Sequence, residues 1–188
     1  MKSSFGFTFI ELIIVMVIIG IFAGVAIPNY GNFVSQNQLD KETKKVLEIL
    51  DIARKKAVSA EKTDKCSGEV LGYKVNQYSA TQLQIKIFCS SYSDPTYDHI
   101  VDTYTLGNNG VSVSSFNVGS PLRSIDYVVF KRLTEGISIP NPAGGNDVLL
   151  SSETVTITIK SVNLSTENCV PITISPAGLI EEGVKITC

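Results

Sequence analysis

Between Phe7 and Ile27 only Thr8 and Glu11 are polar; every other position is Ile, Leu, Val, Met, Phe, Ala or Gly. Wound as a helix at about 1.5 Å per residue, this run rises about 30 Å, the thickness of a bilayer's hydrocarbon core. Beyond Asn29 the pattern turns amphipathic. Leu39, Thr43, Val46, Leu50, Ala53, Ala57 and Ala60 recur at helical spacing, and between them stand Asp40, Lys41, Glu42, Lys44, Lys45, Glu48, Asp51, Arg54, Lys55 and Lys56. The alternating signs permit i,i+4 pairs such as Asp40 with Lys44 and Asp51 with Lys55, each worth roughly a few tenths of a kcal/mol. One helix from about Thr8 to Ala60, about 80 Å long, is expected, apolar all round in its first half and striped in its second. Pro28 has no N–H and crowds the Gly24 carbonyl, so a kink is expected between Gly24 and Pro28.

Downstream the period changes from helical to two. Leu83, Ile85, Ile87 and Cys89 alternate with Gln84, Lys86 and Phe88, and Val155, Ile157 and Ile159 alternate with threonines, as half-buried antiparallel strands do. Gly72 to Tyr78, Ile100 to Leu106, Val111 to Phe116, Tyr127 to Arg132 and Pro171 to Ser175 are further strands by the same reading. Asn108-Asn109-Gly110 and Pro176-Ala177-Gly178 supply turns, the second closing a hairpin between Pro171–Ser175 and Val184–Thr187. Pro140 to Asn146, with two prolines and two glycines, reads as an exposed loop. A striped helix needs a partner for its apolar face, and one antiparallel sheet supplies it: the fold class is α+β.

A chain of 188 residues holds one membrane segment and one globular domain, and a side-chain net charge of -2 advertises no polyanion partner. The cysteines, Cys66, Cys89, Cys169 and Cys188, all follow the apolar run. Their even number fits two disulfides in an oxidising compartment. Of the three connectivities, Cys66 with Cys89 and Cys169 with Cys188 is favoured because each pair is local in sequence. Each bridge is worth about 3 kcal/mol by loop entropy. No C-x-x-C spacing points to zinc or redox chemistry.

Glu11 is the anomaly. A carboxylate in a spanning helix costs about 2.5 to 3.5 kcal/mol, so it takes a partner or neutralises. A cut after Gly6 would place the α-amino group of Phe7 four residues, one helical turn, before Glu11. Gly6, the hydrophobic Phe7, Glu11 at the fifth position after the cut and the long apolar helix together resemble the class III signal of the type IV pilin and pseudopilin family. That resemblance implies removal of residues 1–6 by a prepilin peptidase, N-methylation of Phe7, and a role for Glu11 in placing an incoming subunit against its neighbour's amine. Pro28 matches as well, since the family often has a proline where the helix loosens during assembly. Gly20 and Gly24 form a G-x-x-x-G pair that lets helices approach closely, although two glycines in a membrane helix need no such role. An ordinary secretory signal is the rival, with Lys2 as its basic residue and Gly24-Val25-Ala26 as its cut. The run from Leu12 to Ile27 exceeds the usual apolar core of about 7 to 15 residues, and a glutamate has no purpose there.

The resemblance also implies a plan: leader 1–6, transmembrane and filament-core helix 7–28, amphipathic helix 29–60, and a disulfide-containing β-rich head 61–188. Within the family, Ala53-Arg54-Lys55-Lys56-Ala57-Val58 and Ile172-Thr173-Ile174-Ser175-Pro176-Ala177-Gly178 resemble the FimT/GspH branch. The implied partners are a prepilin peptidase, other pilin or pseudopilin subunits, an inner-membrane assembly platform and membrane lipid. The implied location is the inner membrane, with an exported head, and then a periplasmic or cell-surface filament.

Little else in the chain carries chemistry. His99 is the single histidine, and metal sites and triads need several convergent groups, so neither a metal, a cofactor nor an enzyme is expected. Gly110-Val111-Ser112-Val113-Ser114 lacks the second glycine of a nucleophile elbow. Asn146-Asp147 with Glu153 offers too few oxygens for calcium and reads as a polar loop. Arg54, Lys55, Lys56, Lys62 and Lys65, with Lys131-Arg132, form the basic groups on which the alternative rests, a DNA-binding minor pilin for natural transformation. A solvated helix end and strand edge explain them as well. The DNA-binding relatives resemble one another in an arginine-bearing C-terminal segment, whereas Leu179 to Lys185 here is acidic, which disfavours DNA.

Overall fold

The computed structural model describes residues 8–62, 64, 66, 68–89, 98–107, 110–119, 122–132, 136–140 and 148–188, the side chains of 25–29, 98 and 149 excepted. A helix, α1 (Phe9–Val58), takes up 50 residues without interruption. It starts where Thr8 adopts an extended backbone and its hydroxyl accepts from the Glu11 N–H, while the Glu11 carboxylate accepts from the Thr8 N–H, each at 3.4 Å. This reciprocal capping box satisfies two donors that a helix end leaves bare. At the other end Lys55 and Lys56 complement the negative pole of the helix. Ala60 then turns at a φ of +49°, its N–H donating to the Ala57 carbonyl at 3.1 Å. The expected kink falls on 25–29, whose side chains lie outside the description; the helix is assigned straight through Pro28.

Among the described residues eleven strands follow: β1 (Val70–Ser79), β2 (Gln82–Cys89), β3 (Asp98–Thr105), β4 (Val111–Val118), β5 (Arg123–Ser124), β6 (Tyr127–Lys131), β7 (Ile137–Ile139), β8 (Val148–Leu149), β9 (Val155–Ser161), β10 (Cys169–Ile174) and β11 (Ile180–Glu182). They form two antiparallel sheets where one was expected, a six-stranded β3-β2-β1-β6-β7-β8 and a five-stranded β11-β10-β9-β4-β5. The helix needs both. Its buried stripe includes Ile49 and most of Glu42 beside Leu39, Thr43, Val46, Leu50, Ala53 and Ala57, and α1 packs on β1 and β6 of one sheet and on β4, β9, β10 and β11 of the other. A strip that wide exceeds what one twisted sheet covers.

The C-terminal hairpin also differs from expectation. β10 pairs with β11 in the register Ile172 to Glu182 and Ile174 to Ile180, while the 184–187 segment contributes a single bridge, Ile186 to Cys169. Gly178, at a φ of +79°, reverses the chain within Ser175–Leu179, so the return strand begins at once. Pro171 has no N–H with which to prolong the ladder; its carbonyl accepts from Gly183 at 2.8 Å and the strand ends there.

The alternating residues of β2 and β9 point inward as expected: Leu83, Ile85, Ile87, Val155, Ile157 and Ile159 are fully buried. Tyr73 joins them from β1, and its hydroxyl donates to the Glu61 carbonyl at 2.6 Å, fastening the helix exit to the sheet. The disulfides are Cys66–Cys89 and Cys169–Cys188. The first clamps the segment after α1 to the end of β2, and the second pins the C-terminus to the start of β10. Of the two helix ion pairs expected, Asp51–Lys55 forms at 2.6 Å, but Asp40 pairs with Lys185 at 2.7 Å instead of with Lys44. The C-terminal segment lies alongside the helix and brings a tertiary partner to Asp40.

Leu50 is fully buried and Val58 is half exposed. Leu50→Ala is expected to lower unfolding free energy by about 2–5 kcal/mol, and Val58→Ala by less than about 0.5, in denaturant titrations of the detergent-solubilised chain. Burial first, and the nearby Glu61 charge second, push the Tyr73 hydroxyl up to about 12. Its stabilising contribution is therefore complete below the unfolded value of about 10 and is lost as pH rises from there through about 12. Melting temperatures across that window are expected to fall less steeply for Tyr73→Phe than for the native chain.

Candidate assembly site on the amino-terminal helix

The first half of α1 stands clear of the head. From Thr8 to Phe33 every described residue is exposed, and burial begins in earnest only at Leu39. Large apolar side chains face outward on all sides: Phe9 is 81% exposed, Phe22 71%, and even the least exposed of the run, Ile13, 41%. A water-soluble monomer rarely shows more than a few hundred Å² of contiguous apolar surface, so such a cylinder is built for contact with lipid or with other helices. Among the described residues no helix is long and apolar enough to cross a membrane. The fully described apolar run stops at Gly24, and 25–29 would extend it.

Of the residues singled out by sequence, Gly6 and Phe7 lie outside the described residues, as does the Pro28 side chain. Glu11 is described, and its carboxylate rests on the Thr8 N–H at the tip of its own helix. That capping box was readable, since Thr8-x-x-Glu11 is its signature, but Glu11 had been read only as a partner for an amine. Gly20 and Gly24 lie on one helix face, and a Cβ at either would meet nothing within 4 Å. Within the chain, then, neither glycine answers a packing demand.

The remaining candidates disperse. His99 sits on β3 opposite Ile87, and no group of three His, Cys, Asp or Glu capable of holding a metal occurs among the described residues. Asn146-Asp147 is outside the description, and Glu153 is bound by Arg123 at 2.5 Å. Much of the basic cluster is neutralised locally: Lys55 by Asp51, Lys56 by Glu61 at 2.6 Å, and Arg132 by Glu69. Lys131 lies over the Phe88 ring, 5.4 Å from its centre, and Lys65 falls outside the described residues.

Residues 1–27 match the family description "Prokaryotic N-terminal methylation motif". By this segment the chain is similar to the type IV pilins. Over 95 residues the chain is 34% identical to the type IV major fimbrial protein FimA of Dichelobacter nodosus, covering 50% of this chain and 54% of that one. A fimbrial protein of Pseudomonas aeruginosa is 46% identical over 46 residues, 24% of this chain and 30% of its own. The chain thus spans about half, or less, of the length of these curated relatives. Among solved structures, the minor pilin FimU of Pseudomonas aeruginosa matches with a TM-score of 0.44 and 15% identity, over 80% of this chain and 93% of that one.

Two glycines of the chain make opposite demands. A Cβ at Gly72 would lie 2.3 Å from the Phe130 carbonyl oxygen of the paired strand, whereas at Gly24 it meets open space. Gly72→Ala is expected to destabilise the head by about 1–3 kcal/mol in chemical unfolding, and Gly24→Ala to leave that midpoint within about 0.5 kcal/mol.

Proposed function

We propose that the chain is a structural subunit, a minor pilin or pseudopilin, of a type IV pilus or type II secretion-type filament. Its leader is cut after Gly6 by a prepilin peptidase, the new Phe7 amine is methylated, and the 7–28 helix holds it in the inner membrane until an assembly platform draws it into the filament. The amphipathic 29–60 segment belongs to the exported unit with the 61–188 head. The observation that carries this reading is the continuity of α1: one rigid element is apolar and bare in its first half and locked into the head by its second.

Assembly then means exchanging lipid for neighbouring helices. From water, covering this surface would be driven by about 25 cal/mol per Å², but from lipid that drive nearly vanishes, and close packing and polar pairing must set the arrangement. Gly20 and Gly24 offer flat places for another backbone. Glu11 offers a charge at the end where a neighbour's amine would arrive. No observation favours the DNA-binding alternative to the same degree, and three of the basic side chains it needs, Lys55, Lys56 and Arg132, are paired with acids of the same chain.

Mass spectrometry of the chain expressed with and without a prepilin peptidase tests the route. A mature N-terminus at Phe7 is expected only when the enzyme is present, and a chain beginning at Ile27 or one unprocessed in both cases would overturn it. Glu11→Ala is expected to leave that cut intact and to reduce incorporation into filaments, scored by immunoblot of sheared fractions. Undiminished incorporation would remove Glu11 from the assembly step.

A further inference from the structure

From Leu12 to Leu39 the chain carries no charged residue; the first after Glu11 is Asp40. Those 28 residues rise about 42 Å as a helix, against about 40–45 Å for a bilayer with its headgroup layers, where the apolar run alone matches only the hydrocarbon core. The extra length is of a distinct composition. From Asn29 to Gln38 it is mostly Asn, Gln and Ser, uncharged but well hydrated, and interrupted by two aromatic residues, Tyr30 and Phe33. They are 70% and 62% exposed, and a spacing of three places them on one face of the helix. Nothing in the head demands them, because burial of the helix against the sheets starts above them at Leu39. The next feature up is the Asp40–Lys185 ion pair, at 2.7 Å, which fastens the C-terminal segment to the helix about 15 Å beyond Tyr30.

We propose that Tyr30 and Phe33 lie in the outer lipid headgroup layer and set the depth of the membrane-inserted subunit, holding the charged base of the head just clear of the bilayer. Aromatic rings with one polar and one apolar aspect are suited to that layer, the phenol of Tyr30 reaching water and both rings lying against the upper acyl chains. The helix has no basic residue between Glu11 and Lys41 to snorkel to the surface, so this pair is the available anchor on the exported side. The proposal rests on the membrane-inserted state described above.

The chain contains no tryptophan, so one introduced Trp reports its own position. Tyr30→Trp and, separately, Val17→Trp are placed in the full-length chain and reconstituted at low protein-to-lipid ratio in phosphatidylcholine vesicles. The lipid carries bromine either near the headgroup end of its acyl chains or near their methyl ends. Position 30 is expected to be quenched at least about twofold more by shallow bromine than by deep bromine, and position 17 the reverse. Adding Tyr30→Ala and Phe33→Ala to the Val17→Trp chain is expected to shift that chain's shallow-to-deep quenching ratio. If position 17 is quenched but position 30 emits as in water, or emits as a buried ring that neither lipid quenches, the pair faces solvent or protein and the proposal fails while the membrane reading stands. If position 17 itself escapes both lipids, the membrane reading fails, and the proposal with it. An unchanged ratio in the double alanine chain would show that the rings do not set depth.

Discussion

A single backbone ladder running through two environments is the constraint on which the rest of this molecule depends. An isolated helix gains little from propensity alone and is held by what its side chains bury. Here the second half is held by Leu39, Val46, Ile49, Leu50, Ala53 and Ala57, all at most 1% exposed, and the first half buries nothing within the chain. The head therefore supplies orientation to a segment it does not touch. The helix runs from one half into the other as a single element. The exposed half has only one device of its own, the Thr8–Glu11 cap, which closes the end that would otherwise leave backbone donors bare.

The head is arranged to resist load along that element. The two sheets clasp the helix from different sides, and the chain between them crosses repeatedly: β3 to β4 outward, β5 to β6 back, and β8 to β9 outward again. Pulling the helix away would have to strip its side chains from both sheets. The helix exit is tied twice more, by the Tyr73–Glu61 hydrogen bond and by Cys66–Cys89, and the opposite flank by Lys185–Asp40 below the Cys169–Cys188 bridge. Surface ion pairs contribute about 1 kcal/mol or less each, so Lys185–Asp40 serves to place the C-terminal segment more than to stabilise it.

The helix, its stripe and most of the strands were legible because each depends on periodicity, and periodicity is local. Leu39, Thr43, Val46, Leu50, Ala53 and Ala57 follow from spacing and are buried, whereas Ala60, on the same spacing, lies past the helix end and is only partly buried; Ile49 lies beside that narrow line on a stripe widened by the second sheet. The number of sheets was not legible, since short strands such as β5 and β8, of two residues each, acquire a partner only once the topology exists. The same holds for Lys185, which looked like part of an acidic tail segment and proved to be a tertiary partner of Asp40. Of the candidate site, the exposed apolar cylinder followed from composition. The cap at Glu11 is written in Thr8-x-x-Glu11, but a charge in an apolar run equally fits a countercharge, and the residues alone do not decide between the two.

That cap changes what Glu11 contributes to the proposed filament. A carboxylate without any partner in lipid would seek any donor, and its capture by a neighbour would be driven by relief of its own cost, about 2.5 to 3.5 kcal/mol. With the Thr8 N–H already donating to it, part of that cost is met within the chain before assembly begins. A neighbour therefore has to offer more than a hydrogen bond, and a full positive charge is the offer that exceeds a backbone amide. Along the apolar part of a like chain, from Phe7 to Ile27, the side chains hold no cation at all, and under the proposed cut after Gly6 the α-amino group of Phe7 would supply one. The pairing then contributes little net affinity and a great deal of register: it is available at one height of one neighbour, and sliding the helix by a turn forfeits it. In the proposed contact between two greasy cylinders, where apolar packing is nearly indifferent to such a slide, that single discriminating pair would specify the axial step.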